Sequence, residues 1–250
     1  MFGVQVASET VERLRYLVMT SLARFPVVAL PLTRLRGEGV VVDERTDLVV
    51  ESFPRCASSF ALATINLAQA PRVLHVAHHT HAPANVLRAI DLAVPALVLI
   101  RSPEDVVVSN MIRHPRRTPN DVLHGFLRFY EPLQPRRSGF VVGTYDEVTG
   151  GQMGSVIRRV NRRFGTDLVE FESTPDNVDR IMREIDDDWR RRRGGGERLE
   201  RIVPRPSDLR DRMKADLRER FRSEASATLR DRAEQVYASL ARAEAGTPGP

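Results

Sequence analysis

The chain has 250 residues, a formal net charge of +5, 42% hydrophobic and 28% charged residues, and a single cysteine. That is enough for one α/β domain with a sizeable core, it is ordinary for a globular protein, and it excludes an internal disulfide. The charge balance is too modest to indicate a nucleic-acid partner, and nothing in the composition argues for an oxidising compartment, so a cytoplasmic location is expected.

Taken in order, residues 8–24 predict a helix. Ser8 is placed to cap it, and Val11, Leu14, Val18 and Leu22 form one face. The segment from Tyr16 to Leu32 is apolar but interrupted by Arg24, Pro26 and Pro31, so it does not read as a membrane span. A contact with a membrane surface is the minor reading and packing against the sheet the simpler one. No secretory leader is expected: the start lacks a basic segment followed by an apolar core and cleavage site. Val40-Val41-Val42 reads as a short extra strand, 47–53 as the first core strand, 58–69 as its helix, and 72–76 as a second strand. A helix from 84 to 93 leads into a buried strand at 95–100. The next helix opens at Ser102 and stops near His114-Pro115. Helix 121–130, strand 139–143 and helix 152–164 follow. Strands alternating with helices predict a three-layer α/β sandwich: a central parallel sheet, helices on both faces.

Beyond residue 170 the chain is polar. A helix is expected from 176 to 189, an exposed link from Asp186 to Gly196, and helices at about 207–222 and 224–243. The whole reads as one domain, with a nucleotide-binding core over 46–170, a helical extension over 171–245 and a disordered tail over 246–250. Oligomeric state has no sequence signal.

Two segments carry chemistry. The strand ending near Phe53-Pro54 runs through Arg55, Cys56, Ala57, Ser58 and Ser59 into an apolar helix. A small-residue turn feeding a helix N-terminus aims free N–H groups and the helix dipole at one spot, and Arg55 adds a formal charge. GxxxxGK[ST] is absent, so the lysine and magnesium apparatus of NTPases is not expected. The second segment repeats the device. The strand 95–100 ends at Arg101, Ser102 caps, Pro103 takes the first helical position, and Asp105 sits where a capping box needs it. Arg101 and Ser109 are placed to reach a second phosphate. Almost every cation is arginine, Lys214 being the exception; this suits bidentate contacts to oxyanions, and a codon bias accounts for it equally.

Here the chain resembles the PAPS-dependent sulfotransferases, over roughly residues 46–170. The family's 5′-phosphosulfate loop, Pro-(Lys/Arg)-Ser-Gly-Thr/Asn-Thr-(Trp/Phe), is matched by Pro54-Arg55-Cys56-Ala57-Ser58-Ser59-Phe60. Its 3′-phosphate motif, Arg-x-Pro-x-Asp-x-x-x-Ser, is matched at each fixed position from Arg101 to Ser109. Its Lys-Thr-His-x-Pro is matched by His79-Thr80-His81-Ala82-Pro83, with His79 for lysine. Its Tyr-Glu-Asp-Leu is echoed by Tyr145-Asp146-Glu147-Val148. The resemblance implies a P-loop-like topology. It implies transfer of a sulfuryl group from 3′-phosphoadenosine 5′-phosphosulfate (PAPS), without a metal, to a hydroxyl or amine acceptor, with release of 3′,5′-bisphosphoadenosine. His81 would be the general base and Arg55 would stabilise the leaving group. Cys56, Ala57, Ser58, Ser59, Phe60, Arg101, Ser109 and Tyr145 would join Arg55 in holding the nucleotide, with Phe60 stacked on adenine. Tyr145 is read equally well as a sheet-edge residue.

The chain departs from the pattern at Cys56, Ala57 and Phe60, and no Arg-Lys-Gly loop follows; Arg201, Arg205 and Arg210 are the substitutes considered. Other readings stay open. These are a thiol nucleophile at Cys56, a metal site at His75, His78, His79 and His81, a phosphotransferase, and a nucleotide-binding module without transfer activity. Segments 28–46 and 113–137 are expected to be acceptor-facing loops for a lipid, an aromatic alcohol or a sugar.

Overall fold

The computed structural model describes residues 2–37, 39–193 and 208–242. Four parallel strands form the central sheet: β1 (Leu48–Ser52), β2 (Val76–His78), β3 (Ala96–Ile100) and β4 (Val141–Thr144), in the order β2-β1-β3-β4. β1 and β3 are buried along their whole length, as continuous apolar runs between two helical layers must be. Val49 lies beside Ala96 and Ser52 beside Leu99, while Leu97 pairs with Val141 and Ile100 with Thr144.

Helices α1 (Phe2–Leu22), α2 (Pro26–Arg36), α3 (Ser58–Gln69), α4 (Pro83–Asp91), α5 (Pro103–Arg113) and α6 (Pro119–Tyr130) precede β4, with a 3₁₀ segment over Glu131–Gly139. The chain continues through α7 (Tyr145–Thr149), α8 (Met153–Phe164), α9 (Pro175–Arg193), α10 (Asp208–Glu224) and α11 (Ala227–Arg242). The crossover from β1 to β2 runs opposite to those from β2 to β3 and β3 to β4. Right-handed connections therefore put α3 on one face of the sheet and α4, α5 and α6 on the other. α9 packs on α3, and α11 packs on α6 and against β4, which completes the two outer layers.

This strand order positions the site. All four strands end at the same edge, and the chain leaves β1 and β3 toward opposite faces. That reversal opens a crevice beyond the carboxyl ends of β1 and β3, where open parallel sheets hold ligands. The segments that follow β1, β2, β3 and β4 there begin with Phe53, His79, Arg101 and Tyr145. An aromatic cluster supports the crevice from beneath: Phe53 meets Phe126 and Phe129 edge-on at 6.1 and 6.5 Å, and both pack on Tyr130.

Several expectations change. The 40–42 segment makes only one antiparallel bridge, Val40 with His78, because the Val42 N–H turns to the Asn85 side chain. The predicted strand at 72–76 enters the sheet only at Val76. Val73 is 85% exposed, and the His75 N–H is held by Asp47. α1 begins at Phe2, so Ser8 lies inside it and is no cap. The first half of the expected acceptor loop at 28–46 is α2: Pro26 stands in its first turn, and Gly37, at φ 63°, closes it in the left-handed conformation. In 113–137, Thr118 and Asp121 form a capping box that starts α6. The link expected from Asp186 is helical through Arg193; its remainder and the 246–250 tail lie outside the described residues. Among the described residues no helix is long and apolar enough to cross a membrane.

Candidate functional site

The two cationic segments meet. Arg55 Nε donates to Ser109 Oγ at 2.9 Å, joining the loop after β1 to the second turn of α5. Arg101 lies on the same side: its guanidinium sits 3.8 Å from the centre of the Tyr145 ring, and its charge reaches the Cys56 sulfur. The Arg101 side chain is only 18% exposed and faces Asp105 at 3.9 Å, beyond a close ion pair, and its Nε is buried without a partner. A buried guanidinium donor left unpaired is costly unless a ligand accepts from it. Two adjacent arginines therefore stand at the mouth of the switch-point crevice.

The loop itself is tightly wound. Arg55 and Ala57 both have positive φ, 80° and 67°, and Ala57 is the residue before α3. Alanine holds a conformation that glycine adopts freely, at a cost of about 1–2 kcal/mol. No side chain caps α3, so Ser58 and Ser59 are helical residues and not caps. The N–H groups of the first turn have no intrahelical acceptor and face the crevice region. Ser58 is buried, and Phe60 is half-buried with its ring packed on the core.

Cys56 is no nucleophile. It is fully buried against the Tyr130 hydroxyl at 3.5 Å, and burial pushes its pKa up to about 11. Tyr130 donates to Leu99 O at 2.7 Å and accepts from the Phe53 N–H at 3.3 Å. One phenol thus fastens the start of the loop to β3.

His81 lies on the opposite flank of the β1 terminus. Its Nδ1 is 2.8 Å from the carbonyl oxygen of Ser52. A carbonyl only accepts, so Nδ1 donates here, which leaves Nε2 as the ring nitrogen open to exchange a proton. The backbone of His81 is held in turn by Glu51. This carboxylate, wholly buried in β1, accepts from Thr80 N at 2.9 Å, Thr80 Oγ1 at 2.7 Å, His81 N at 3.1 Å and Asn85 Nδ2 at 3.0 Å. Burial raises the Glu51 pKa, against the opposing pull of His81 and of these donors. The four bonds hold a segment in which His79 and His81 both have positive φ. His79 lies between the two flanks: Nε2 is 3.2 Å from Ser59 Oγ and Nδ1 is 2.8 Å from His78 Nδ1. The ring centres of His79 and His81 are 5.8 Å apart.

Of the sequence-predicted residues, Arg55, Arg101, Ser109 and Tyr145 converge, and Ser59 is joined to the histidine segment. His75 is exposed and apart from the other three histidines, and among the described residues no group of three His, Cys, Asp or Glu side chains could hold a metal ion. Asp105 does more than cap α5. It also accepts from Arg218 of α10 at 2.8 Å, which brings a third arginine to this end of the sheet. Arg201 and Arg205 lie outside the described residues, as does the Arg210 side chain. Sequence reasoning missed Glu51 and Arg218. A lone glutamate inside the run Leu48-Val49-Val50-Glu51-Ser52 was the available signal for the first.

A cleft of about 290 Å³ opens at the far end of α5, lined by Tyr16, Arg113, Arg117 and Asp121 among others. On its wall Arg117 donates to the side chain of Asn110, the neighbour of Ser109 in sequence.

The fold and the site define an α/β protein with a cationic crevice at the carboxyl edge of a parallel sheet and a histidine on its flank. No protein-family model matches the chain, and no curated protein matches it. Among solved structures it is similar to the crystal structure of mouse sulfotransferase SULT7A1 complexed with PAP. The identity is 14%, the match covers 78% of this chain and 90% of that one, and the TM-score is 0.37. A likeness at that score carries no weight, and the functional reading stands on the residues of this chain.

Proposed function

We propose that this chain is a sulfuryltransferase that takes PAPS as donor and a hydroxyl or amine as acceptor. The observation that carries the reading is the Arg55–Ser109 hydrogen bond with Arg101 beside it. It joins the segment resembling a phosphosulfate loop to the segment resembling a 3′-phosphate site, although 54 residues separate the bonded pair.

The site residues fit such a donor. Arg101, with an unpartnered buried Nε, and Ser109 are suited to the 3′-phosphate. Arg55 and the first-turn N–H groups of α3 are suited to the 5′-phosphosulfate. In this reading the acceptor oxygen or nitrogen bonds to sulfur as the bond from sulfur to the 5′-phosphate oxygen breaks. The acceptor proton passes to His81 Nε2, and the charge left on 3′,5′-bisphosphoadenosine is met by Arg55 and the loop. Glu51 takes no proton in this scheme; it positions the segment that carries His81.

The test is thermal shift and calorimetry with 3′,5′-bisphosphoadenosine, AMP and magnesium-ATP. The bisphosphate should stabilise most, and Arg101→Ala should weaken its binding by about 2 kcal/mol, near thirtyfold. With donor and an acceptor panel, His81→Ala should lower turnover by about 10²–10⁴-fold and leave bisphosphate binding intact, and EDTA should leave turnover unchanged. Equal stabilisation by AMP and the bisphosphate would overturn the donor assignment. Bisphosphate binding without transfer to any acceptor would make the chain a nucleotide-binding module.

A further inference from the structure

α2 is apolar on two faces. Its inner face buries Ala29 and Leu30 against Ala82 and Ala84, at the start of α4. Its outer face should be polar for a helix bordered by water. Instead, Val27 and Leu35 are 86% and 85% exposed, and Val28 and Pro31 are exposed beside them. Val27, Val28, Pro31, Arg34 and Leu35 follow one stripe of α2, and Arg24 lies in the turn just before it, so arginines stand at both ends of the apolar strip. On α1, Val11, Leu14 and Val18 repeat the pattern at spacings of three and four. Among the described residues, the exposed large hydrophobic side chains outside the 11–40 segment are Val73 and Val169. Such a concentration marks a contact surface.

Charge indicates what covers it. From Arg24 to Gly37, the stretch that holds α2, the chain carries three arginines, at 24, 34 and 36, and no aspartate or glutamate. A twofold contact through this strip, with the two helices antiparallel, would set Arg24 of one copy near Arg34 of the other, with no acid in the stretch to offset them. An anionic lipid surface accepts both features: apolar side chains enter the headgroup boundary while the arginines stay at the phosphates. No described helix is long and apolar enough to span a bilayer, so the contact is with its surface.

We propose that the outer face of α2 docks on an anionic membrane surface. This goes beyond the transfer reading and stands without it. Docked so, the lipid lies about one helix diameter, ~10 Å, from the segment that carries His81 and Ala82.

The test is co-sedimentation of the full chain with phosphatidylcholine vesicles, with and without phosphatidylserine, over a salt series. Binding should require phosphatidylserine and weaken with salt. Val27→Ser with Leu35→Ser should weaken it by about tenfold or more while the melting temperature holds, because both side chains are exposed in the free protein. Arg24→Gln with Arg34→Gln should reduce binding to the anionic vesicles. The proposal is overturned if the serine variant sediments like the parent, or if neutral and anionic vesicles bind alike. It is equally overturned if the chain ignores vesicles and forms a dimer that the serine substitutions dissolve.

Discussion

Glu51→Gln asks whether the buried carboxylate holds the candidate base in place. The change preserves volume but exchanges one acceptor oxygen for an NH₂ donor. Oε1 accepts from Thr80 N, Thr80 Oγ1 and Asn85 Nδ2, and Oε2 accepts from His81 N. The better orientation of glutamine keeps the first three and turns its NH₂ toward the His81 N–H. One donor then faces another, at a cost of about 1–3 kcal/mol. For a chain of this length each kcal/mol lowers Tm by roughly 2–4 °C, so a drop of several degrees is expected.

The pH dependence supplies a second readout. Burial places the folded pKa of Glu51 above the ordinary carboxylate value. A raised carboxyl pKa contributes stability at low pH that is lost as pH climbs from the unfolded value through the folded one. The parent loses stability across that window and the glutamine variant does not, so their Tm gap should narrow as pH rises. Melting curves from about pH 4 to pH 8 measure both effects. Bisphosphate binding should persist, because the Arg55–Ser109 pair is independent of Glu51. Equal Tm values with parallel pH slopes would refute the anchoring role.

Three further substitutions or reactions probe the loop. Ala57→Gly relieves left-handed strain at φ 67° but loosens the unfolded chain, for a net gain of roughly 0.5 kcal/mol; a lower Tm would mean that alanine makes contacts the strain argument omits. Tyr130→Phe strips Leu99 O and Phe53 N–H of a buried partner and should cost about 2 kcal/mol in chemical denaturation, while an unchanged midpoint would show that the phenol is no fastener. Cys56, with its thiol pushed up to about 11, should resist a disulfide-exchange reagent near pH 8 until the protein unfolds. Prompt labelling of the native protein would contradict its burial.

Features with local causes were legible in the residues. α3 was expected at 58–69 and forms Ser58–Gln69, and the helix opening at Ser102 forms Pro103–Arg113 with the predicted cap. Proline position, capping hydroxyls and apolar runs act within one turn of the chain, and they appear in any sequence that carries them. α2 was hidden for the same reason in reverse. Pro26 and Pro31 read as breaks, although the first lies where a helix tolerates proline and the second sits on the exposed face of a helix that Ala29 and Leu30 hold against α4.

What only tertiary structure decided is which segments become neighbours. That Arg55 meets Ser109 follows from β1 lying beside β3, and that order is set by the competition of whole strands for the centre of a sheet. Glu51 looked like an isolated polar residue in an apolar strand until Thr80, His81 and Asn85 arrived with four donors. The sequence by itself singled out the candidate groups for holding an anion and moving a proton, because their chemistry belongs to single residues and short turns. Their convergence depended on long-range burial, since each pairing is compensated only once the intervening chain has left water.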